Sequence, residues 1–153
     1  MSDAALLASY DHCRRIVRDA ASNFYYAFFL LPRPKRDAIC ALYAFMRRVD
    51  DVSDCPASPI LKLLGLAAWR SRLDAAVSGD LSLDPVLPAL RDTLQRFSIP
   101  PRYLHDLISG AEMDLTVSVY PTFERLREYC YRVAGTVGIT CLYIFGSRSP
   151  HAH

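Results

Sequence analysis

No stretch of this chain alternates apolar and polar side chains with a period of two, and no Gly-rich hairpin turn occurs. A half-buried strand needs that alternation, because successive side chains point to opposite faces of a sheet. Apolar residues recur instead at three- and four-residue steps, the period of one face of a helix. Tyr10, Cys13, Ile16, Val17 and Ala20 keep the step in the first segment, and Ile39, Leu42, Tyr43, Met46 and Val49 keep it further on. The pattern predicts a helix to about residue 20, then a dense apolar run stopped by Pro32 and Pro34. Further helices are predicted over 35–54, broken by "CPASP", and over 60–79, ending on Gly79. Asp84 reads as an N-cap with Pro85 at the first position of a helix to about 97. A further helix spans 102–120, and Thr122 caps a long one from 123 to about 145. No heptad persists, so the expectation is an all-α fold of buried helices rather than a coiled coil.

Composition limits the class. Hydrophobic residues make up 52% of the 153 residues and charged ones 22%, which excludes a disordered polypeptide and allows one domain with a real core. A net charge of +2 is too small to point to nucleic acid, and none is expected as a partner. Sixteen arginines stand against two lysines, Lys35 and Lys62. Arginine is the better fork for phosphate and carboxylate oxygens, although a codon bias explains the excess equally well. Five cysteines, an odd number with no C-x-x-C, read as reduced thiols, with Cys130 and Cys141 as inert packing residues. The N-terminus lacks a signal-peptide pattern, and the longest apolar stretch (133–146) is shorter than the ~20 residues of a spanning helix. A cytoplasmic protein is expected, with peripheral contact with a membrane left open.

"YAFMRRVDDVSD" (43–54) carries the most chemistry. On a helix Asp50 and Asp54 share a face, Asp51 lies three residues before Asp54, Arg47 sits one turn above Asp50 and Asp51, and Tyr43 one turn above Arg47. Hard cations such as Mg²⁺ take one or two carboxylates together with waters and phosphate oxygens, so a D-D-x-x-D cup suits a metal that holds a diphosphate. A solvated acidic face with an Arg47–Asp51 ion pair is the competing reading. Gly135, Gly138 and Ala134 keep another helix surface thin, with Val133, Val137 and Leu142 at helical spacing beside them. That stripe suits either close helix packing or the wall of an apolar channel.

Three ordered stretches together resemble the squalene/phytoene synthases: "SNFYYAFFLLPRPKRDAICALYAFMRRVDDVSD", "LISGAEMDL" (107–115) and "YCYRVAGTVG" (129–138) with "IFG" (144–146). The resemblance implies an isoprenoid-synthase-type helical bundle and Mg²⁺-assisted head-to-head condensation of two prenyl diphosphates. Farnesyl diphosphate would give presqualene diphosphate or squalene, and geranylgeranyl diphosphate would give phytoene. It implies Asp50, Asp51 and Asp54 as metal ligands, Arg47 as the diphosphate clamp, and Tyr43 and Tyr129 beside the reacting ends. Val133, Val137 and Gly138 would line the prenyl tunnel, and Ser22, Asn23 and Phe24 would contact substrate. "SNFYY" is most similar to the bacterial hopanoid-pathway presqualene diphosphate synthases. No dinucleotide fingerprint is present, so NADPH has no support.

The chain also departs from the family pattern. Ala21 and Asn23 stand where the family carries serines, and Ala111 where methionine is common. The family's second aspartate-rich helix does not appear, and the spacing of Asp80 and Asp84 falls in a loop that does not replace it. Residues 1–146 therefore read as the N-terminal part of the catalytic domain, a partial bundle lacking a C-terminal half. Residues 147–153, with His151 and His153, read as an out-of-family tail. A non-catalytic prenyl-diphosphate-binding half, or a helical scaffold of the same ancestry, is the alternative. Trp69 reads as core, His12 and His105 as surface or packing residues, and Glu112 with Asp114 equally as residues supporting the site from behind or as an exposed acidic edge.

Overall fold

A computed structural model describes residues 2–20, 23–82 and 84–146, with the side chains of residues 23–25 outside the description. Among the described residues every regular element is helical, as the sequence predicts. Helix α1 (Asp3–Asp19) starts where Ser2 Oγ accepts from the Ala5 N–H at 3.3 Å, with Asp3 in its first turn and Arg18 in its last, matching the helix dipole. Helix α2 (Asn23–Phe29) is short, and α3 (Arg33–Asp54) opens with Pro34 in its first turn. Helix α4 (Pro59–Ser78) ends at Gly79, whose φ of +115° suits a residue without a Cβ.

Three boundaries differ from the sequence prediction. Helix α5 (Leu87–Arg96) begins after Pro85: the Asp84 carboxylate accepts from the Val86 N–H at 2.9 Å and closes a turn rather than capping the helix. Helix α6 (Arg102–Thr116) stops before the "VSVY" segment, where Val117 is extended (φ −117°, ψ 111°) and Pro121 follows. The long C-terminal helix is not uniform. Thr122 does cap it, accepting from the Arg125 N–H at 3.4 Å, but α7 (Phe123–Cys130) passes into a π-helical turn, Tyr131–Gly135, before α8 (Thr136–Phe145).

The chain divides into two compact units. One comprises residues 1–47 and 72–99, so it holds α1, α2, most of α3, the end of α4, and α5. Here α1 packs on α5, and the buried Ser9 hydroxyl joins them, donating to Pro85 O at 2.6 Å and accepting from the Ala89 N–H at 2.9 Å. Beside it the buried Tyr10 hydroxyl donates to Asp92 Oδ2 at 2.6 Å. Burial first, and then the Asp92 carboxylate, hold this phenol far above its ordinary value. The raised value means its stabilisation is complete below pH ~10, where free tyrosine ionises, and is lost as pH rises beyond that. Tyr10→Phe is therefore expected to cost about 1 kcal/mol in urea melts at pH 8. The gap between the two proteins should shrink in melts above pH 10. Cys13 and Cys40 lie in the same core, and burial pushes their thiols up to about 12 and about 11, so neither is a nucleophile at neutral pH.

The other unit comprises residues 48–71 and 100–153: the end of α3, most of α4, α6, α7, the π turn and α8. Helix α6 packs against the π turn and α8, with Leu104, Ile108 and Ile144 buried. Trp69 is buried, as expected. Cys130 is exposed, contrary to its reading as a packing residue, because it ends α7, a helix that buries none of its residues; Cys141 is half-buried. Helix α4 leaves Ile60, Leu61 and Leu64 exposed in its first turns and becomes amphipathic only from Leu66 onward. Among the described residues no helix is long and apolar enough to cross a membrane.

Candidate active site

Helix α3 carries the sequence-predicted acidic cluster at its C-terminal end. Val49 points into the core, while Asp50, Asp51 and Asp54 are exposed. Arg47 is exposed as well, and Tyr43, earlier on the same helix, is half-buried with its ring edge-to-face on Phe28 at 6.5 Å. The helix ends at Asp54, so these carboxylates stand at the negative pole of its dipole. Two donors occupy its last carbonyls. Lys62 Nζ donates to Ser53 O at 2.6 Å, and the Cys55 thiol donates to Val52 O at 3.0 Å. Lys62, one of only two lysines, thus brings a cation to the end of the acidic helix.

Among the described residues no three acidic, cysteine or histidine side chains close into a cage for an ion. Mg²⁺ does not need one, since it retains waters and is held by one or two carboxylates plus ligand phosphates. Exposed oxygen donors at i and i+4 fit a cation shared with a ligand and do not fit a buried structural ion.

The second predicted set lies on α7, the π turn and α8. The Tyr129 hydroxyl hydrogen-bonds the Asp114 carboxylate, chiefly for which reason it is pushed up to about 12 and remains a neutral phenol at neutral pH. Its ring stacks on Tyr120 at 5.0 Å, and the buried Tyr120 hydroxyl has no hydrogen-bond partner among the described residues. Val133 belongs to the π turn, a distortion that recurs at functional positions. Val137 is half-buried, and a Cβ built on Gly138 meets nothing within 4 Å. The thin surface at Gly138 therefore faces open space rather than a neighbouring helix. Gly138→Ala is expected to raise stability by up to ~1 kcal/mol in chemical denaturation, because a helical glycine is replaced without a clash.

Glu112 and Asp114, for which the sequence leaves both a supporting role and an acidic edge open, make two separate contacts. Arg70 Nη2 on α4 donates to both Glu112 oxygens at 3.0 and 3.1 Å and to Ser109 Oγ at 3.1 Å, while Asp114 takes Tyr129. Arg132 reaches Glu128 at 2.9 Å, one turn back. Ser22 lies outside the described residues, as do the side chains of Asn23 and Phe24 and the tail residues His151 and His153. Tyr43 and Arg47 belong to the first compact unit, whereas Asp50, Asp51, Asp54, Tyr129, Val133, Val137 and Gly138 belong to the second. Sequence reasoning did not find Lys62, Arg70 or Tyr120. The near-absence of lysine is the one signal that could have drawn attention to Lys62; the other two depend on tertiary contacts.

Comparison with known proteins bears on both sets. The family model for squalene/phytoene synthase matches residues 17–153, a span that includes the terminal segment set apart in the sequence reading. The chain is 41% identical over 142 residues to a phytoene synthase of Arthrospira platensis, covering 93% of this chain and 46% of that one. It is 47% identical over 131 residues to a phytoene synthase of Mycobacterium tuberculosis, covering 86% and 42%. The squalene synthase HpnC from Alicyclobacillus acidocaldarius superposes with a TM-score of 0.86 at 31% identity, over 97% of this chain and 56% of the other. A ligand-bound dehydrosqualene synthase gives 0.80 at 31% identity, over 91% and 48%. The chain spans somewhat less than half the length of these curated relatives. It belongs, on this evidence, to the squalene/phytoene synthase family, of which it represents the N-terminal part.

Proposed function

We propose that this chain supplies the first, carboxylate-bearing part of a site for the Mg²⁺-dependent head-to-head condensation of two prenyl diphosphates. The observation that carries this reading is the gathering of three exposed aspartates at the negative end of α3, below Arg47 on the same helix. Asp50, Asp51 and Asp54 would hold Mg²⁺, which when bound neutralises charge on a departing diphosphate. Arg47 offers a two-pronged hydrogen-bond donor to the same group. Tyr129 is a neutral phenol and acts by orienting and hydrogen-bonding rather than as a base. Tyr43 has the same role on α3. Val133, Val137 and Gly138 present an apolar surface to a prenyl chain and keep water from the allylic cation, which water would convert to an alcohol. Both squalene- and phytoene-type relatives fit this chemistry; the phytoene synthases support a phytoene-type product and the HpnC match, a squalene synthase, a squalene-type one, while presqualene diphosphate as product rests on the resemblance of "SNFYY" alone.

The short span relative to the curated relatives favours a second reading, a half that binds prenyl diphosphate and completes a site only with further sequence. Calorimetric titration with farnesyl and geranylgeranyl diphosphate, with and without Mg²⁺, tests the shared premise. Saturable binding that requires Mg²⁺ is expected. Failure to bind either ligand in the presence of Mg²⁺ overturns both readings, and product formation by the chain alone decides between them.

A further inference from the structure

A concave pocket of about 600 Å³ lies within the first unit, away from the acidic end of α3. Among the described residues its lining holds four guanidinium groups, Arg14, Arg15 and Arg18 from α1 and Arg36 from α3, against one carboxylate, Asp11. Phe28 and Phe29 of α2 form an apolar wall. The arginines differ in what they have left to offer. Arg14 is fixed by ion pairs to Asp11 and Asp37, and Arg18 lies 3.3 Å from Asp19. Arg15 makes no ion pair among the described residues. Arg36 is half-buried, its Nε is enclosed without a hydrogen-bond partner, and its guanidinium lies 5.2 Å over the Phe29 ring. Among the described residues no carboxylate pairs with this half-buried guanidinium, and a partly desolvated charge of that kind is favoured by an anion that completes it. Arginine forks suit tetrahedral oxyanions carrying more than one charge, and the volume is that of a small-molecule site.

We infer that this pocket is a metal-independent binding site for a phosphate or diphosphate group, separate from the aspartate-bearing end of α3. Its positive lining binds the oxyanion directly, and the Phe28–Phe29 wall accepts an apolar neighbour of that group. Two sources supply this chemistry: free diphosphate, or the headgroup of an anionic lipid. The lipid source gains support from α2 and the turn after it, where Tyr26, Phe29 and Leu30 are 76%, 58% and 88% exposed.

The test uses the whole chain at low salt with EDTA present, so that carboxylate–metal binding is silent. Sodium diphosphate is titrated by calorimetry, and sedimentation is measured with vesicles of phosphatidylglycerol or of phosphatidylcholine alone. One or both anionic probes should bind, with affinity falling at least tenfold in Arg15→Gln/Arg36→Gln. Arg125→Gln/Arg127→Gln, which removes the same charge from exposed positions on α7, should leave binding unchanged. If the Arg36 variant does not fold, Arg15→Gln/Arg18→Gln on the exposed face of α1 carries the same expectation. Binding of diphosphate identifies the free anion as the source, and binding to phosphatidylglycerol vesicles alone identifies the lipid headgroup. No binding to either probe, or equal losses in the pocket and α7 variants, overturns the assignment. Asp50→Asn/Asp54→Asn should retain this metal-free binding, so failure here is distinguishable from failure of the proposed function.

Discussion

Asp50→Asn combined with Asp54→Asn is expected to weaken Mg²⁺-dependent prenyl diphosphate binding at least 100-fold while leaving the chain as stable as before, or slightly more so. The binding loss follows from the donor chemistry. Asparagine keeps the shape of aspartate but offers a neutral amide, and a hard cation loses both anionic oxygens at once. Removing even the outer partners of a metal site commonly costs 10–100-fold, so removing two ligands sets about 100-fold as the floor. The stability effect has the opposite sign. Asp54 ends α3 at its negative pole, where an anion is unfavourable by about 0.3–1 kcal/mol, and like charges at i and i+4 cost a further 0.2–0.5 kcal/mol or so. Asparagine and aspartate have similar helix propensities, so propensity does not offset the relief. A thermal midpoint unchanged or raised by about 2–4 °C is expected for a chain of this length.

The two readouts together decide what the aspartates are for. Lost binding with retained or increased stability marks carboxylates held against the local electrostatics for a ligand. A lowered midpoint with unchanged binding would mean that the cluster serves the fold through its ion pairs, and the metal assignment would fall. Lys62 sharpens the contrast, because its ammonium already caps Ser53 O and relieves the helix end. Lys62→Met should therefore lower the midpoint in the wild-type background and have less effect once Asp50 and Asp54 are neutral.

Much of this architecture is legible in the sequence because it is local. The i, i+3, i+4 recurrence of Tyr10, Cys13 and Val17, and of Ile39, Leu42 and Val49, marks residues that are in fact buried. Gly79 and Thr122 end and begin helices where their backbone and hydroxyl chemistry requires. The misplaced boundaries have physical causes that periodicity does not register. Asp84 satisfies its turn instead of a helix, and Val117 becomes extended ahead of Pro121. The π turn over Tyr131–Gly135 inserts an extra residue into a helix whose apolar pattern reads as continuous. At the site, the register of Arg47 and the aspartates follows from spacing alone. Arg70 gripping Glu112, or Tyr120 stacked on Tyr129, depends on which helices meet, and only tertiary structure supplies that.

Gly110→Ala is expected to destabilise the chain by about 1 kcal/mol, and the reason explains why two signature segments occur together. Gly110 sits in "LISGAEMDL" on α6, and a Cβ placed there lies 2.7 Å from Val133 Cγ1, 3.2 Å from Arg132 Cβ and 3.3 Å from the Arg132 carbonyl carbon. The first distance requires movement, and the third shows that the obstacle includes backbone. Val133 is β-branched with a restricted χ1, so it cannot simply swing aside as a long flexible side chain would. Helix α6 and the π turn must separate, at a cost of roughly 1–3 kcal/mol for overpacking, against up to ~1 kcal/mol gained in helix propensity. Gly138→Ala provides the internal control: the same substitution, also in a helix, with nothing in its way. The contact can be isolated by relieving it from the other side. Val133→Ala alone leaves a gap and destabilises, but in the Gly110→Ala background it removes the clashing methyl, so the double variant should be at least ~0.5 kcal/mol more stable than the sum of the single effects. Additive losses would show that Gly110 and Val133 are not in tight contact. Coupling would establish that the glycine of one signature segment fixes the position of the valine in the other. The proposed prenyl surface would then be shaped from behind, by how closely α6 approaches the π turn.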